Sequence, residues 1–402
     1  MKVLYVNHTA EISGGERSLL DLLGGLPEGV LRHAACPRGE LYGALEQLGV
    51  SASPITGTSG SLRLHPLHTP RALAEMALAA AQLRGVARRQ RSEIVHANSL
   101  RAGILAGLAR PRAGTVVHVR DCLPPGAASG ATLRLIGATA TAVVANSRYT
   151  AESLGSGVPA ERVHVIHNGI DVGRWDPARI DRERARAALG TAGTRALLLG
   201  VVAQLTPWKG QDTAVQALGV LRSQGIDAHL LLVGSAKFRS SAARYDSQAY
   251  VQRLRRLVTA GGLEDRVSWL GEREDVASVM RALDLVLVPS WEEPFGRVVL
   301  EALALQVPVI ATDSGGPREI ITEGREGLLR PPRSPEAWAE AIRALADDAR
   351  ARERMGRLGR ARVQEAFTLQ QHAAALVEIY ERAAARPGAP PSASRSPCAS
   401  GS

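Results

Sequence analysis

Two glutamates with different surroundings stand eight positions apart, Glu293 and Glu301, in the segment EEPFGRVVLEALALQVPVIATDSGG at 292–316. Glu293 precedes a Pro-Phe-Gly break, whereas Glu301 lies in an apolar run, where a carboxylate without a partner would be costly. The pattern predicts a helix from 297 to 305 opened by Gly296, whose first turns favour an acid through the helix dipole. Either carboxylate could accept hydrogen bonds from ligand hydroxyls; a capping or salt-bridging glutamate is the structural alternative.

A lysine and several glycines also fall at the ends of predicted strands, where open α/β sheets bind their ligands. Lys209 lies on the turn Pro-Trp-Lys-Gly at 207–210, where its charge suits a phosphate, although a solvated loop lysine would have the same pattern. In Ser-Gly-Gly-Glu at 13–16, glycines before a helix let backbone amides approach an anion closely. The Gly-Gly pair at 315–316 repeats this arrangement.

The composition indicates a globular protein of two domains that favours anionic partners. The chain has 402 residues, 45% of them hydrophobic, and this length suits two domains of roughly 150–200 residues each. A formal net charge of +10 favours phosphates, nucleic acid or an acidic membrane surface, or else reflects an Arg-rich and Ala-rich proteome. Aromatic residues make up only 3% and no nucleic-acid-binding motif is present, so nucleic acid is not expected as a partner.

The cysteine pattern and the hydropathy predict a cytoplasmic protein. Cys36, Cys122 and Cys398 show no Cys-x-x-Cys spacing, so neither a zinc site nor a disulfide framework is expected. The N-terminal segment turns polar too early for a signal peptide, and no stretch reaches the ~20 apolar residues of a membrane span. The apolar, basic-ended segment at 71–91 could lie on the anionic inner face of a membrane, or form a buried helix with a solvated arginine end.

Short apolar runs alternate with helical patterns, which predicts two consecutive α/β halves with parallel sheets. The predicted strands cover 2–6, 93–97, 115–120, 141–147 and 163–169 in the first half, and 195–204, 229–235, 266–271, 284–290 and 307–312 in the second. The division near residue 170 gives a first domain at 1–170 and a second at 171–367. The segment at 386–402, rich in Pro, Ser and Ala, is predicted to be disordered.

Six short motifs occur in the order in which one known family carries them. They are Gly-Gly-Glu at 14–16, Ala-Asn-Ser at 145–147, His-Asn-Gly-Ile-Asp at 167–171, Pro-Trp-Lys-Gly at 207–210, Glu-Pro-Phe-Gly-x-x-x-x-Glu-Ala at 293–302 and Ala-Thr-Asp-Ser-Gly-Gly-x-x-Glu at 311–319. On these motifs, residues 1–385 resemble the family 4 retaining glycosyltransferases. The resemblance implies a GT-B fold, in which two Rossmann-like, doubly wound parallel-sheet domains face a cleft, and a C-terminal helix at 368–385 that crosses back onto the first, acceptor-side domain.

The resemblance also implies a reaction, the transfer of a sugar from a nucleoside diphosphate sugar with retention at the anomeric carbon and with neither a metal ion nor another cofactor. By position, Glu301 would hold the ribose hydroxyls, Glu293 would contact the donor sugar, and Lys209 would bind the diphosphate and stabilise it as it leaves. Further donor contacts would come from Gly14, Gly15, Phe295, Gly296 and Arg297.

One departure from the family's pattern concerns the phosphates. Gln204 stands where the family often has an arginine that accompanies the lysine. A glutamine can donate a hydrogen bond to a phosphate but carries no charge. Either Arg239 or Arg244 takes the arginine's place, or the leaving group is stabilised less.

A second departure concerns the acceptor side. The His-Asp pair that often ends a first-domain strand in this family reads Arg120-Asp121 here. His118 lies two residues earlier, hence on the same strand face, so either Arg120 or His118 would meet the acceptor. His96 is a further cleft candidate, although a strand histidine is more often structural.

The sequence leaves the partners and some alternatives open. The acceptor could be a glycan such as a cell-envelope polysaccharide, a lipid-linked sugar or a small molecule, and the sugar and base of the donor are not specified. A sugar-nucleotide 2-epimerase would share the fold. A glycoside hydrolase or phosphorylase would use the glutamate pair as acid and base. The products distinguish these reactions.

Overall fold

The structure is a computed structural model that describes residues 1–58, 69–236 and 246–385. It contains two α/β domains, each built on one parallel sheet, and thereby confirms the predicted fold class. Two of the predictions concern residues that the structure does not describe. One is the disordered segment at 386–402, and the other is that Arg239 or Arg244 takes the role of the family's phosphate-binding arginine.

The first sheet has seven strands, and the central ones are buried on both faces. They are β1 (Lys2–Val6), β2 (Leu31–Cys36), β3 (Ser51–Pro54), β4 (Ile94–Ala97), β5 (Gly114–Val119), β6 (Ala142–Ala145) and β7 (Val163–Val165). Their order is β3-β2-β1-β4-β5-β6-β7, so the direction of winding reverses between β1 and β4. Parallel strands covered by helices on both sides are continuously apolar, which is why β4 and β6 show no alternation.

The second sheet repeats this design with six strands. They are β8 (Leu197–Val202), β9 (Ala228–Val233), β10 (Val267–Gly271), β11 (Leu285–Val288), β12 (Val309–Thr312) and β13 (Gly327–Arg330). Their order is β10-β9-β8-β11-β12-β13, with the reversal between β8 and β11. In such sheets, ligands bind beyond the carboxyl ends of the strands at the reversal.

Fifteen α-helices lie within the described residues. They are α1 (Gly14–Gly25), α2 (Glu40–Gln47), α3 (Thr69–Gln90), α4 (Leu100–Ala109), α5 (Ala127–Thr139), α6 (Arg148–Glu152), α7 (Arg182–Ala188), α8 (Gln211–Ser223), α9 (Ser247–Ala260), α10 (Val276–Ala282), α11 (Arg297–Ala304), α12 (Pro317–Ile320), α13 (Pro335–Ala346), α14 (Ala349–Ala366) and α15 (Leu369–Ala384). None of them has the length and hydropathy that a membrane-spanning helix needs.

All ten predicted strands are present, and three further strands lie outside the predicted set. Two of these, β3 and β13, are four-residue strands at sheet edges, and β3 has the weakly apolar sequence Ser-Ala-Ser-Pro. The third, β2, reads Leu-Arg-His-Ala-Ala-Cys and contains no β-branched residue. Strands of this kind are stabilised by their neighbours rather than by their own propensity.

The helix α15 packs on the first sheet although it follows the second domain in sequence. Its Leu376 and Tyr380 are fully buried in the core that α1 and the first sheet form. Where the chain passes between the domains, the Ile170 amide donates to the Phe367 carbonyl at 3.0 Å, and the Leu369 amide donates to the Ile170 carbonyl at 2.9 Å. The two passages between the domains therefore lie side by side.

Candidate active site

A lysine–glutamate pair lies at the reversal point of the second sheet. Lys209 ends a short helical turn after β8, and Glu293 lies in the loop after the neighbouring strand β11. Lys209 Nζ is 2.7 Å from Glu293 Oε2, and Ser290 Oγ donates to the same oxygen at 2.8 Å. Both side chains are mostly buried, with 18% and 11% exposed, so the ion pair is held in one geometry rather than fluctuating at the surface.

The loop that carries Glu293 is fixed by Gly315 and Gly316. The Gly316 amide donates to the Glu293 carbonyl at 2.8 Å, and a Cβ on Gly315 would stand 2.1 Å from that carbonyl oxygen. Gly315 also has φ +90°, which side-chain-bearing residues rarely adopt. We expected this glycine pair to open a helix towards an anion. The pair does precede a helix, since Gly316 is the N-cap of α12. Both glycines also pack on the backbone of the glutamate loop, and a contact with an anion stays a prediction.

Glu301 lies inside α11 and is buried as its apolar surroundings indicate. Arg297, one turn earlier, donates from Nε to Glu301 Oε1 at 2.8 Å. Burial raises the pKa of Glu301, and the guanidinium of Arg297 opposes that shift without cancelling it. The salt-bridging alternative is thus realised, and the contact with ribose hydroxyls stays a prediction.

Phe295 and Gly296 have structural roles that account for their residue types. The ring of Phe295 is buried and stacks on His167, with 5.9 Å between the centroids. Gly296 precedes α11 with φ +103° and so lets the loop turn into the helix. Their backbone contacts with a donor stay predictions.

The N-terminus of α1, which follows β1 at the edge of the first sheet, begins with Gly14 and Gly15. A Cβ on Gly14 would meet no atom within 4 Å, and one on Gly15 would meet only Arg120 Cδ, at 3.4 Å. Glu16 folds back on the helix start, where its carboxylate accepts from the Ser13 amide at 3.1 Å and from Asn7 Nδ2 at 3.2 Å. The first-turn amides of a helix need acceptors. The Ser13 side chain accepts from the Glu16 amide, whereas the amides of Gly14 and Gly15 donate in none of the described hydrogen bonds.

Arg120 is buried in a network of neutral polar groups. Its Nε donates to Asn98 Oδ1 at 3.1 Å, its Nη1 to Asn168 Oδ1 at 2.7 Å, and its Nη2 lies 3.3 Å from His118 Nδ1. Burial lowers the pKa of Arg120 to about 10. The expected acceptor contact does not fit this burial, because the guanidinium is directed at protein partners.

His96 and His118, the two strand histidines near Arg120, lie in the interior of the first domain. His96 and His118 have no exposed surface, and His96 Nδ1 lies 2.8 Å from the Tyr380 hydroxyl of α15. Burial first, and the charge of Arg120 second, lower the pKa of both histidines. His118 is thus held inside the domain, its part in catalysis stays a prediction, and His96 is structural.

Asp121 shows that the two domains converge on one cleft. It follows Arg120 and is accessible to solvent. Its pKa is raised, first because surrounding protein displaces water and then by the carboxylate of Glu16, while Lys209 and Arg120 oppose the shift. Groups from both domains therefore act on a single carboxyl group.

Gln204, the residue at the position of the family's arginine, is half-buried, and its carbonyl accepts from Gln211 Nε2 at 2.8 Å. Its role on a phosphate stays a prediction. No cluster of three or more histidine, cysteine or acidic side chains that could hold a metal lies within residues 1–58, 69–236 and 246–385.

A second cluster between the domains joins three of the motifs to which the sequence assigns no role. The carboxylate of Glu319 accepts from the amides of Arg148 and Tyr149 at 3.0 and 3.2 Å and bonds His167 Nε2 at 2.8 Å. Ser147 Oγ donates to the Pro294 carbonyl at 2.6 Å. The motifs Ala-Asn-Ser, His-Asn-Gly and Gly-Gly-x-x-Glu thus meet between the domains. Their co-occurrence was the available signal, but the sequence could not pair them.

Two doubly wound domains with facing carboxyl edges define a two-domain α/β protein of the GT-B type. A comparison with solved structures agrees with this class. The chain matches Anabaena Alr3699/HepE in complex with UDP-glucose with a TM-score of 0.82 and 26% identity, over 95% of this chain and 100% of the other.

Sequence comparison then gives the family. Residues 12–174 match the family model described as Glycosyltransferase Family 4, and residues 181–362 match the one described as Glycosyl transferases group 1. The D-inositol 3-phosphate glycosyltransferase of a Nocardioides species is 31% identical over 316 residues, which are 73% of this chain and 68% of that relative. The chain therefore belongs to the family 4 glycosyltransferases.

The similarity to other members is partial. The D-inositol 3-phosphate glycosyltransferase of Jonesia denitrificans is 32% identical over 283 residues, which are 67% of this chain. The aligned part spans 64% of that relative, less than two thirds of its length. Family membership therefore leaves the substrates of this chain to be proposed.

Proposed function

We propose that this chain is a retaining glycosyltransferase that moves a sugar from a nucleoside diphosphate sugar to the hydroxyl of an acceptor. The observation that carries the proposal is the buried Lys209–Glu293 pair at the reversal point of the second sheet. In this proposal residues 171–367 bind the donor, and residues 1–170, with the crossing helix at 368–385, face the acceptor.

The site supplies charge where the reaction develops it. As the bond between the anomeric carbon and the diphosphate breaks, negative charge grows on the departing oxygen. Lys209 from one domain and the open amides at Gly14 and Gly15 from the other would stabilise that charge. Glu293 would face the sugar, and the acceptor oxygen would form the new bond on the face from which the diphosphate leaves.

The two glutamates do not resemble the acid–base pair of a glycoside hydrolase. Glu293 bonds Lys209 and Glu301 bonds Arg297, so each carboxylate has its own cation. A carboxylate that is bonded to a cation is less available to exchange a proton with a glycosidic oxygen or with water. Transfer is therefore favoured over hydrolysis. Only the identity of the reaction product can decide between a glycosyltransferase and a 2-epimerase.

The first donor to test is UDP-glucose, because Anabaena Alr3699/HepE has been crystallised with it. The first acceptor is inositol 3-phosphate, because relatives carry that name. Thermal shift with UDP-, GDP-, ADP- and TDP-sugars, followed by mass spectrometry of the products, would test the proposal. If NMR shows that the product glycoside has the same anomeric configuration as the donor sugar, the reaction proceeds with retention. If the product forms equally well in the presence of EDTA, the reaction needs no metal ion.

Two results would contradict this proposal. Free sugar released from a glycoside without a nucleotide would favour a hydrolase, and an epimerised nucleotide sugar without acceptor would favour an epimerase. A chain that no nucleotide sugar stabilises would not be a glycosyltransferase of this kind.

We also propose that α3 contacts an anionic lipid surface. The exposed side of this helix carries Leu73 and Leu78, which are 60% and 53% exposed, and then the exposed residues Arg84 and Arg88. Apolar residues followed by arginines suit the boundary between acyl chains and anionic headgroups. The net charge of +10 supports the same partner.

Co-sedimentation with vesicles tests this contact. The chain should bind vesicles of phosphatidylglycerol and phosphatidylcholine at low salt, bind less at high salt, and not bind phosphatidylcholine alone. Arg84→Glu with Arg88→Glu should abolish binding, while the control pair Arg354→Glu and Arg357→Glu on α14 should not. Equal binding by both pairs would reject α3 as the contact.

A further inference from the structure

An ion pair joins α1 of the first domain to α11 of the second. Asp21 Oδ2 lies 2.5 Å from Arg297 Nη2, and Ser18 Oγ accepts from Arg297 Nη1 at 3.2 Å. The side chains of Asp21 and Arg297 are only 14% and 13% exposed. A buried pair of this kind is sensitive to the loss of either partner.

The same guanidinium also bonds the glutamate that we assign to the ribose. Arg297 donates from Nε to Glu301 Oε1 at 2.8 Å, while its other two nitrogens bond the first domain. A guanidinium is a rigid planar fork. When Asp21 fixes one side of that plane, it also fixes the direction from which Glu301 is bonded.

The charges make this arrangement dependent on both domains. Burial alone would lower the pKa of Arg297, but the carboxylates of Glu301 and Asp21 outweigh it and raise that pKa. A second cation, Arg174, lies 3.7 Å from Asp21 but is 60% exposed, so it is a weak substitute.

We propose that Asp21 is a positioning residue for the donor nucleotide. It acts through Arg297 and orients Glu301, so that the ribose contact is complete only when the first domain has approached the second. The inference rests on the proposed function, because it assumes that Glu301 meets a nucleotide. Ser18, which accepts from the same guanidinium, belongs to the same contact.

The test is calorimetric titration of the full chain with UDP, then GDP, ADP and TDP. Asp21→Asn keeps the shape and removes the charge, and it should weaken binding of the preferred nucleotide about tenfold, with Asp21→Ala at least as weak. The donor KM should rise by a similar factor, while kcat changes less than about threefold. Both variants should keep a cooperative unfolding transition and the circular dichroism of the wild type, which separates this effect from misfolding.

Glu319→Gln is the matched control. It weakens another interdomain carboxylate contact, but Glu319 does not contact Arg297 or Glu301 among the described hydrogen bonds. It should weaken nucleotide binding by less than threefold. Equal losses in Asp21→Asn and Glu319→Gln would overturn the inference, because closure of the domains alone would then explain both.

A double-mutant cycle of Asp21 and Glu301 is the decisive experiment. If Asp21 acts through Glu301, adding Asp21→Asn to Glu301→Gln should cost little more than Glu301→Gln alone. Fully additive losses would overturn the inference. Wild-type protein that binds none of the four nucleotides would overturn the proposed function and this inference with it. Wild-type binding that Asp21→Asn leaves unchanged would overturn the inference only.

Discussion

The carboxyl edges of the two sheets use polar side chains in opposite ways. At the second sheet, Lys209 and Glu293 come from loops and bond each other at the rim of the cleft. At the first sheet, Arg120 and His118 lie inside the domain and are bonded to neutral protein groups. The second edge presents charge, and the first presents the backbone of Gly14 and Gly15 above a buried polar support.

From this difference we predict which substitutions should change activity and which should change stability. A loop residue whose partner is another cleft residue can be altered without opening the core. A buried residue with several bonded partners leaves those partners unsatisfied when it is removed. The two edges should therefore respond to mutation in different assays.

The largest expected effect is at the second edge. Lys209→Ala should lower kcat/KM for transfer by about 10²- to 10³-fold, as expected when a preorganised charge at the leaving group is lost, while the protein stays folded. Steady-state kinetics beside thermal unfolding would measure both. Arg253→Ala on α9, which removes an exposed cation near the same edge, is the control and should retain activity. Equal activity of the two variants would break the contrast.

An intermediate effect is expected at the first edge. Arg120→Met should lower the free energy of unfolding by about 2–3 kcal/mol, because Asn98, Asn168 and His118 lose their donor. Chemical denaturation would measure this loss. A variant that unfolds like the wild type yet has lost transfer would show instead that Arg120 meets a substrate, as we first expected from the sequence.

The smallest effect concerns pH. Burial first, and the charge of Arg120 second, lower the pKa of His372 on α15 to about 3. The unfolded chain binds a proton there near pH 6.5 and the folded chain does not, so stability should fall as pH drops below 6.5, by about 1.4 kcal/mol per pH unit for this group.

His372→Asn provides the comparison for that slope. An asparagine can still donate to the His167 carbonyl, which His372 Nδ1 contacts at 2.7 Å, but it does not titrate. Denaturation at pH 7.5, 6 and 5 should show a shallower loss of stability in the variant. Parallel slopes for variant and wild type would mean that His372 is accessible to protons in the folded chain.

The fold was predictable because its signal is local and repeated. Apolar runs between helical patterns indicate parallel strands wherever the strand is buried on both faces, as in β4, β6 and β11. The prediction failed for β2, β3 and β13. Two of these are short edge strands, and none of the three contains a β-branched residue.

The site was predictable to the extent that it lies at the carboxyl ends of adjacent strands. Lys209 and Glu293 follow adjacent strands, and their convergence follows from the strand order. The contacts of Arg297 with Asp21 and of Glu319 with His167 join residues 276 and 152 positions apart, so no spacing pattern indicates them. The bonded partners of Arg120 could not be predicted, because the sequence shows its place at a strand end but not the groups that cover it.

The central claim is that the two glutamates serve different parts of one donor. The most direct measurement compares Glu293→Gln and Glu301→Ala in calorimetric titration with the nucleoside diphosphate and in a transfer assay. The account predicts that Glu293→Gln loses transfer but keeps nucleotide binding, whereas Glu301→Ala loses nucleotide binding. Full activity in both variants, or the same loss of binding in both, would contradict it.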